Sequence, residues 1–141
     1  MLNGIIPASF SEALLSVLRI MTGLLFFTHG SAKLLGFPVT QHFAGGVELF
    51  SLTGLTGFLE LVGGALIAIG LFTRLTAFIL SGMMAVAYFM AHAPQGFHPI
   101  NNGGELAILF CFIFLYIAAA GPGPWSVDTA WGSRGSYRKA Y

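Results

Sequence analysis

Long apolar stretches separated by links rich in Gly and Pro are the feature that most constrains the fold of this chain. Of its 141 residues, 56% are hydrophobic and only 8% are charged, whereas a soluble domain carries about 25% charged residues. About 20 apolar residues in helical form cross a bilayer. We therefore predict an all-α membrane protein with a single domain over residues 1–141, a bundle of four transmembrane helices. The predicted spans cover about 13–35, 52–71, 75–91 and 104–120.

Basic residues are distributed unequally between the two sides of this predicted bundle. Four spans place both termini and the link between the second and third spans on the same side of the membrane. That side carries Arg74, Arg134, Arg138 and Lys139. The opposite links, about 36–51 and 92–103, contain no Lys or Arg. Because cytoplasmic loops are enriched in Lys and Arg, we predict that both termini are cytoplasmic. The tail at 125–141 is polar and basic, and we expect its last part, SRGSYRKAY, to be mobile.

Ionisable side chains gather in the outer half of the predicted bundle. A charge at the bilayer centre costs at least ~2.5–3.5 kcal/mol on insertion scales, so it is normally paired, near water or functional. Glu60 lies mid-helix between apolar neighbours, and we expect it to be protonated or paired with Lys33 or a histidine. Gly63 and Gly64 share its helix face and would let another helix approach closely. The residues predicted near this outer level are His29, Lys33, Glu60, Tyr88, His92 and Glu105.

Arg19, by contrast, lies toward the predicted cytoplasmic side. Its guanidinium would either extend to the inner interface or join an ion pair, and Asp128 is the nearest plausible partner. We assign Arg19 and Asp128 as a structural ion pair. For Arg74, at the inner end of the third span, extension to the interface is the favoured interpretation.

The outer cluster resembles no known catalytic motif, but its composition favours one class of ligand. The four histidines show neither HExxH nor i, i+4 spacing, so we predict no metal site. A net charge of +1 without a basic stripe argues against nucleic-acid binding. A cation, carboxylates, imidazoles and aromatic walls suit a flat amphipathic ligand that arrives from the lipid, such as a quinone head group. A haem held by His29 and His92 is the less favoured alternative, and no cofactor is assigned with certainty.

Within that hypothesis the outer residues divide into two groups. His92 and Glu105 are the candidate catalytic residues, because they could carry the protons exchanged by a quinone head group. The candidate ligand-binding residues are His29, Lys33, Glu60 and Tyr88.

Four sequence segments resemble the DoxX family: LRIMTGLLFFTHGSAKLLGF, GLFTRLTAF, NNGGELA and AAAGPGPWSVD. The resemblance extends from about Leu18 to Asp128 and implies a small multi-pass protein of the bacterial inner membrane. It further implies a relationship to the DoxD-type subunit of thiosulfate:quinone oxidoreductase, and so favours a redox role. By position, the family pattern marks Arg19, Gly30, Lys33, Glu60, Arg74, Gly104, Glu105 and Asp128, without assigning them catalytic roles.

Three functions remain open at this point. The first is a redox-associated, possible oxidoreductase subunit that binds a quinone-like ligand in the outer half of the bundle. The second is a non-catalytic accessory or assembly subunit, whose charges pair with each other or with a partner. A small carrier or channel is the weaker third, because the outer polar cluster does not continue through the membrane. Expected partners are membrane lipid and either a larger redox complex or further copies of the chain.

Overall fold

The computed structural model describes residues 7–43 and 47–137, and all regular secondary structure in these two ranges is helical. The elements are α1 (Ala8–Leu34), α2 (Leu52–Ile69), α3 (Thr73–Ala87), the single turn α4 (Pro99–Asn102), α5 (Glu105–Ala120) and α6 (Val127–Tyr137). The predicted all-α fold is thereby confirmed.

Three helical segments are long and apolar enough to cross a membrane: α1, α2 and the continuous stretch Thr73–Gln95 that begins with α3. They coincide with the first three predicted spans. The fourth predicted span corresponds to α5, which is apolar but has only 16 residues. At 1.5 Å per residue α5 extends about 24 Å, less than the ~30 Å hydrocarbon core of a bilayer.

Helix ends follow local sequence signals. The Ser51 hydroxyl caps α2 by accepting a hydrogen bond from the Gly54 amide at 3.1 Å. The same helix ends at Gly70, whose φ of 73° is the left-handed conformation that glycine adopts without strain. Beyond Ala87, α3 continues as a π-helical turn over Tyr88–His92. Such turns widen a helix locally and occur often at functional sites.

Glycines bring α1 and α2 together at backbone distance. A Cβ placed on Gly23 or Gly64 would lie 2.5 Å from a main-chain nitrogen of the opposite helix, and one on Gly30 would also meet the backbone of α2. The prediction that glycine beside Glu60 permits a close helix approach is confirmed for Gly64. Gly63 instead contacts Leu80 of α3.

An apolar core fills the centre of the molecule between α1, α2, α3 and α5. Its buried members are Phe26, Ile67, Ala77, Leu80, Phe110, Phe114 and Ile117. Phe26 contacts the edges of the Phe110 and Phe114 rings, at centroid distances of 5.1 and 4.8 Å. This core separates two polar regions. We call them the Arg19 end, where α2 and α5 finish, and the Glu60 end, where α1 and α3 finish.

The segment after α5 contains a helix where the sequence predicted a basic polar tail. Gly121, with φ at 100°, ends α5 as expected, but residues Val127–Tyr137 form α6. The Ser126 hydroxyl accepts a hydrogen bond from the Thr129 amide at 3.1 Å and so caps α6. The prediction of a polar tail overlooked this Ser-x-x-Thr signal. Arg138 and Lys139, part of the predicted basic tail, lie outside the described residues.

Candidate functional site

At the Arg19 end, a fully buried guanidinium binds main-chain carbonyls from three parts of the chain. Arg19 has 0% exposure. Its Nη1 donates to the carbonyls of Ile67 and Ala68, both at 2.6 Å, its Nε donates to the Pro122 carbonyl at 2.7 Å, and its Nη2 donates to the Trp125 carbonyl. The last carbonyls of a helix have no partner within it. Arg19 therefore donates hydrogen bonds to the free carbonyls at the end of α2, and it links the segment after α5 to that helix.

Asp128 is bound by main-chain amides and forms no direct ion pair with Arg19. Its carboxylate accepts hydrogen bonds from the amides of Phe72 at 2.9 Å and Thr73 at 2.8 Å, at the start of α3. The predicted Arg19–Asp128 pair is thus wrong as a direct contact, because both groups serve helix termini instead. Partial burial acts to raise the pKa of the Asp128 carboxyl. The hydrogen bonds from Thr73 and Phe72 and the nearby Arg19 charge outweigh that effect, so this pKa lies below its ordinary value.

Arg74 is a third charged residue at this end. Its Nη1 donates to the carbonyls of Ala118 at 2.9 Å and Ala119 at 2.6 Å, at the last turn of α5. The predicted extension toward the interface is compatible with its exposed position, but the guanidinium has these protein partners. Arg19, Asp128 and Arg74 each stabilise a helix terminus, so the charges of the Arg19 end have structural roles.

At the Glu60 end, Glu60 is 7% exposed and pairs with Lys33 across the α1–α2 contact. The Lys33 Nζ lies 2.7 Å from Glu60 Oε1 and 3.3 Å from the Thr56 hydroxyl, and 5.7 Å from the centre of the Phe43 ring. Pairing with Lys33 was one of the alternatives expected for Glu60, and it is the one present. The other carboxylate oxygen, Oε2, is buried and has no hydrogen-bond partner among the described residues.

Glu60 lines a partly open cavity of about 170 Å³ between α1, α2, α5 and the end of the third helical segment. We call it the Glu60 cavity. Its walls are Phe26, His29, Glu60, Met84, His92, Gly103, Leu106, Ala107 and Phe110. The buried Glu60 thus shares these walls with two imidazoles and two phenylalanine rings. This combination of apolar walls with few polar groups is typical of small-molecule sites.

The two histidines of the Glu60 cavity are held differently. His92 Nδ1 lies 3.0 Å from the main-chain carbonyl oxygen of Asn102, and its ring stacks on Tyr88 at a centroid distance of 6.4 Å. His29 contacts only the edge of the Phe110 ring, at 6.2 Å, among the interactions of the described residues. His92 therefore has a fixed ring orientation, whereas His29 does not.

Three of the six predicted outer residues line the Glu60 cavity, namely His29, Glu60 and His92. Lys33 lines a separate cavity of about 360 Å³ formed with the link between α1 and α2, and it contacts the Glu60 cavity only through Glu60. Tyr88 lies behind His92 and packs against Gly104, where an added Cβ would come within 2.5 Å of its ring. Glu105 is exposed at the first position of α5 and does not line the cavity.

Sequence reasoning overlooked Asn102 as a positioning residue. Asn102 is 4% exposed; its side chain donates to the Gly96 carbonyl at 2.8 Å and accepts from the Gly104 amide at 2.8 Å. Its own carbonyl holds His92. The signal was present as Asn-Asn-Gly-Gly after a proline, a turn sequence in which an Asn side chain bonds nearby main chain. Met84, Leu106 and Ala107 were also missed, because apolar wall residues look like any other core residue.

Described residues contain no group of three or more His, Cys, Asp or Glu side chains placed to hold a metal ion. The two imidazoles and one carboxylate of the Glu60 cavity thus do not form a recognisable metal centre. Hydrogen bonding and proton exchange are the chemistry that these groups offer.

Comparisons with known proteins give the relationships of the chain. The family model described as DoxX matches residues 14–93. An uncharacterized protein of Haemophilus influenzae is 44% identical over 81% of this chain and 87% of the relative. The inner membrane protein YqjF of Escherichia coli is 35% identical over 79% of this chain and 87% of the relative. The protein named "Putative oxidoreductase CatD" of Bacillus subtilis is 36% identical over 74% of this chain and 77% of the relative.

No solved structure matches this chain significantly. The family match covers α1, α2 and the third helical segment up to the residue after His92, and it stops short of α5, where the resemblance had been expected to continue to Asp128. It includes His29, Lys33, Glu60 and His92. With this match over more than half of its length, the chain is a membrane protein that belongs to the DoxX family.

Proposed function

We propose that this protein is a redox-associated subunit of the bacterial inner membrane that binds the ring of a quinone-like molecule in the Glu60 cavity. The observation that carries this proposal is the buried Glu60 carboxylate. One oxygen pairs with Lys33 and the other has no protein partner. A buried polar atom without a hydrogen bond costs about 1–3 kcal/mol, so a ligand that bonds Oε2 would recover that free energy.

The size of the Glu60 cavity limits what it would hold. Sites for whole drug-sized ligands measure about 300–1,000 Å³, whereas this cavity measures about 170 Å³. A single substituted ring would fill it, and an isoprenoid chain would remain in the lipid. Phe26 and Phe110 would contact the faces and edges of that ring, while polar groups of the cavity would bond its oxygens.

Each polar residue has a distinct role in the proposal. Glu60 orients the ring by accepting a hydrogen bond from a hydroxyl group on it, and Lys33 holds the Glu60 side chain in place. His92 and His29 exchange protons with the ligand. Tyr88 acts through its stacking on His92. Glu105, exposed at the start of α5, does not touch the cavity and would contribute only by taking up protons outside it.

The proposed orientation in the membrane follows from four spans with both termini in the cytoplasm. Arg74 and Arg134 then lie on the cytoplasmic side, as the enrichment of basic residues in cytoplasmic loops requires. The Glu60 cavity opens in the half of the bundle nearer the periplasm. The relative from Bacillus subtilis bears the name of an oxidoreductase, which supports a redox role for the present chain.

An accessory or assembly subunit is the second candidate, and the internal pairing of charges favours it. Lys33 pairs with Glu60, and Arg19, Arg74 and Asp128 bind helix termini, so these charges have structural uses without a ligand. Such a subunit would pack against a larger redox complex or another copy of this chain. A channel has less support, because Phe26, Phe114 and Ile117 block the route between the Glu60 cavity and the Arg19 end.

A substitution that fills the Glu60 cavity separates the two candidates. Ala107 is 4% exposed and lines the cavity, so Ala107→Leu would occupy the space of the ring. Ala119 is exposed on the same helix, and Ala119→Leu is the matched control. We expect saturable binding of a short-chain ubiquinone analogue, in its oxidised or its reduced form, to the purified chain in nanodiscs. The affinity should be at least tenfold weaker in Ala107→Leu and unchanged in Ala119→Leu.

Thermal unfolding of both variants serves as the control for folding. If Ala107→Leu is folded and binds the analogue as tightly as the native chain does, the analogue does not bind in the Glu60 cavity. Absence of saturable binding in the native chain would leave the accessory subunit as the better explanation.

A further inference from the structure

The hydrogen bond made by His92 determines which of its ring nitrogens carries a hydrogen. A main-chain carbonyl oxygen only accepts hydrogen bonds. Because Nδ1 bonds the carbonyl of Asn102 at 3.0 Å, Nδ1 must be the donor. In the neutral ring the other nitrogen, Nε2, then has a free lone pair and acts as an acceptor. The structure gives Nε2 no partner within residues 7–43 and 47–137.

Glu60 presents a second acceptor to the same cavity. Its Oε1 accepts a hydrogen bond from the Lys33 ammonium at 2.7 Å, so the two side chains form a salt bridge. An ionised carboxylate has acceptor sites and no donor. The buried Oε2, unpartnered among the described residues, therefore has free acceptor sites.

The other polar groups near the cavity add no donor or acceptor with a fixed role. His29 has no hydrogen bond within the described part of the chain, so its ring can turn and offer either a donor or an acceptor. Lys33 is a donor, but it does not line the Glu60 cavity and is engaged with Glu60 and Thr56. The groups with fixed roles at the cavity are two acceptors, Glu60 Oε2 and His92 Nε2.

We propose that the Glu60 cavity selects a ring that carries hydroxyl groups, such as a hydroquinone, over the corresponding quinone. This inference rests on the proposed function and specifies the form of the ligand. A hydroquinone offers two O–H donors, one for each fixed acceptor. A quinone has only carbonyl oxygens, which would place acceptor against acceptor and leave Glu60 Oε2 without a partner. A site built for a hydrogen-bonding hydroxyl discriminates strongly against an analogue that lacks it.

Ring compounds that differ in their number of O–H donors test the donor requirement, with oxygen excluded so that hydroquinone stays reduced. Hydroquinone, 4-methoxyphenol and 1,4-dimethoxybenzene have two, one and no O–H donors on the same ring. We expect their affinities for the native chain in nanodiscs, measured by calorimetry against empty nanodiscs, to fall in that order by at least tenfold overall. Under anaerobic conditions trimethylhydroquinone should likewise bind at least tenfold more tightly than trimethylbenzoquinone.

A variant of the Glu60 acceptor locates the effect. Glu60→Gln keeps the shape of the side chain but adds an N–H donor, so the preference for the hydroquinone should fall at least fivefold. The matched control is Glu48→Gln, an exposed carboxylate in the link before α2, which should retain the native preference. The comparison of the three rings uses the native chain only, so it stands even where Glu60→Gln does not fold.

The outcomes separate this inference from the proposed function. Tighter binding of trimethylbenzoquinone, or equal affinity for the three rings, would overturn the inference while leaving a quinone site in place. A preference that survives in a folded Glu60→Gln variant would also overturn it. If no ring compound binds saturably, the proposed function itself fails and the inference with it.

Discussion

At the scale of single residues, the same type of group has opposite roles at the two ends of the bundle. The guanidinium of Arg19 is buried, yet three of its nitrogens donate to four main-chain carbonyls. The carboxylate of Glu60 is buried to a similar degree, but only one of its oxygens is paired. A fully satisfied charge stabilises a fold, whereas a half-satisfied one marks a place where a ligand would gain free energy by binding.

The Arg19 contacts give a prediction for stability. Arg19→Lys retains the charge but lacks the planar fork of donors, so at least two buried carbonyls lose their partner. We expect the free energy of unfolding to fall by about 3 kcal/mol, since each unsatisfied buried group costs ~1–3 kcal/mol. Arg74→Lys is the control, because that side chain is exposed and its interaction with the end of α5 is worth under about 1 kcal/mol. Denaturant unfolding in detergent measures both, and equal losses would contradict the burial argument.

Part of this residue-level picture was predictable. A carboxylate placed mid-helix in an apolar stretch must be neutralised or paired, so the pairing of Glu60 could be anticipated from sequence. The choice of Lys33 over a histidine depended on the close crossing of α1 and α2. The partners of Arg19 could not be anticipated, because main-chain carbonyls at helix ends leave no mark in the sequence.

At the scale of elements, the contact of α1 with α2 depends on the absence of side chains. Gly23 and Gly30 on α1 lie against the backbone of α2, and Gly64 lies against the backbone of α1. Small residues at such positions let helices approach closely in membranes, where packing and polar contacts drive association. The approach brings Lys33 within reach of Glu60, so helix spacing determines the chemistry of the cavity.

Substitution of glycine by alanine at two helical positions tests this contact. A Cβ on Gly30 would meet the backbone of Leu61, and backbone cannot move aside as a side chain can. We expect Gly30→Ala to lower the free energy of unfolding by about 1–3 kcal/mol. Gly82 on α3 has open space around the added Cβ, so Gly82→Ala should raise stability by roughly 0.5–1 kcal/mol. Thermal unfolding compares the pair, and a neutral effect of Gly30→Ala would show that the two helices separate without cost.

The capping of α3 by Asp128 predicts a dependence of stability on pH. The pKa of this carboxyl lies below its ordinary value of 3.8 in the folded protein, so its contribution to stability is present above that value. The contribution is lost as the pH falls through the lower folded pKa. The difference in melting temperature between the native chain and Asp128→Asn should therefore be constant near neutral pH and shrink below about pH 4. A difference that grows on acidification would contradict the sign of this pKa change.

At the scale of the whole molecule, exposed apolar side chains cover the helices while polar groups concentrate at the two ends. Leu14, Met21, Leu25, Phe78 and Phe112 are each about half exposed or more, as expected for residues that contact lipid. α5 is the short member of the set, at about 24 Å, but it packs along α3 with Phe114 and Ile117 fully buried. This packing supports the proposal that α5 crosses with the other helices.

Single-cysteine labelling in intact cells tests that topology. In a Cys111→Ala background, Gln95→Cys lies in the link before α4 and Gly132→Cys lies on α6, both at exposed positions. With four spans and cytoplasmic termini, a membrane-impermeant maleimide should label the cysteine at 95 and spare the one at 132. Labelling of both would mean that α5 does not cross. Labelling at 132 alone would show that the orientation is opposite to the one proposed.

The sequence by itself determined the class of protein and the four long helices, because hydropathy and glycine signals are properties of contiguous segments. It also indicated the DoxX family. Only the tertiary structure decided that Glu60 pairs with Lys33 while leaving Oε2 open, that Asn102 orients His92, and that Lys33, Tyr88 and Glu105 lie off the cavity wall. Those outcomes depend on distances between helices far apart in the chain and on how a helix end turns, and neither quantity is encoded within a single segment.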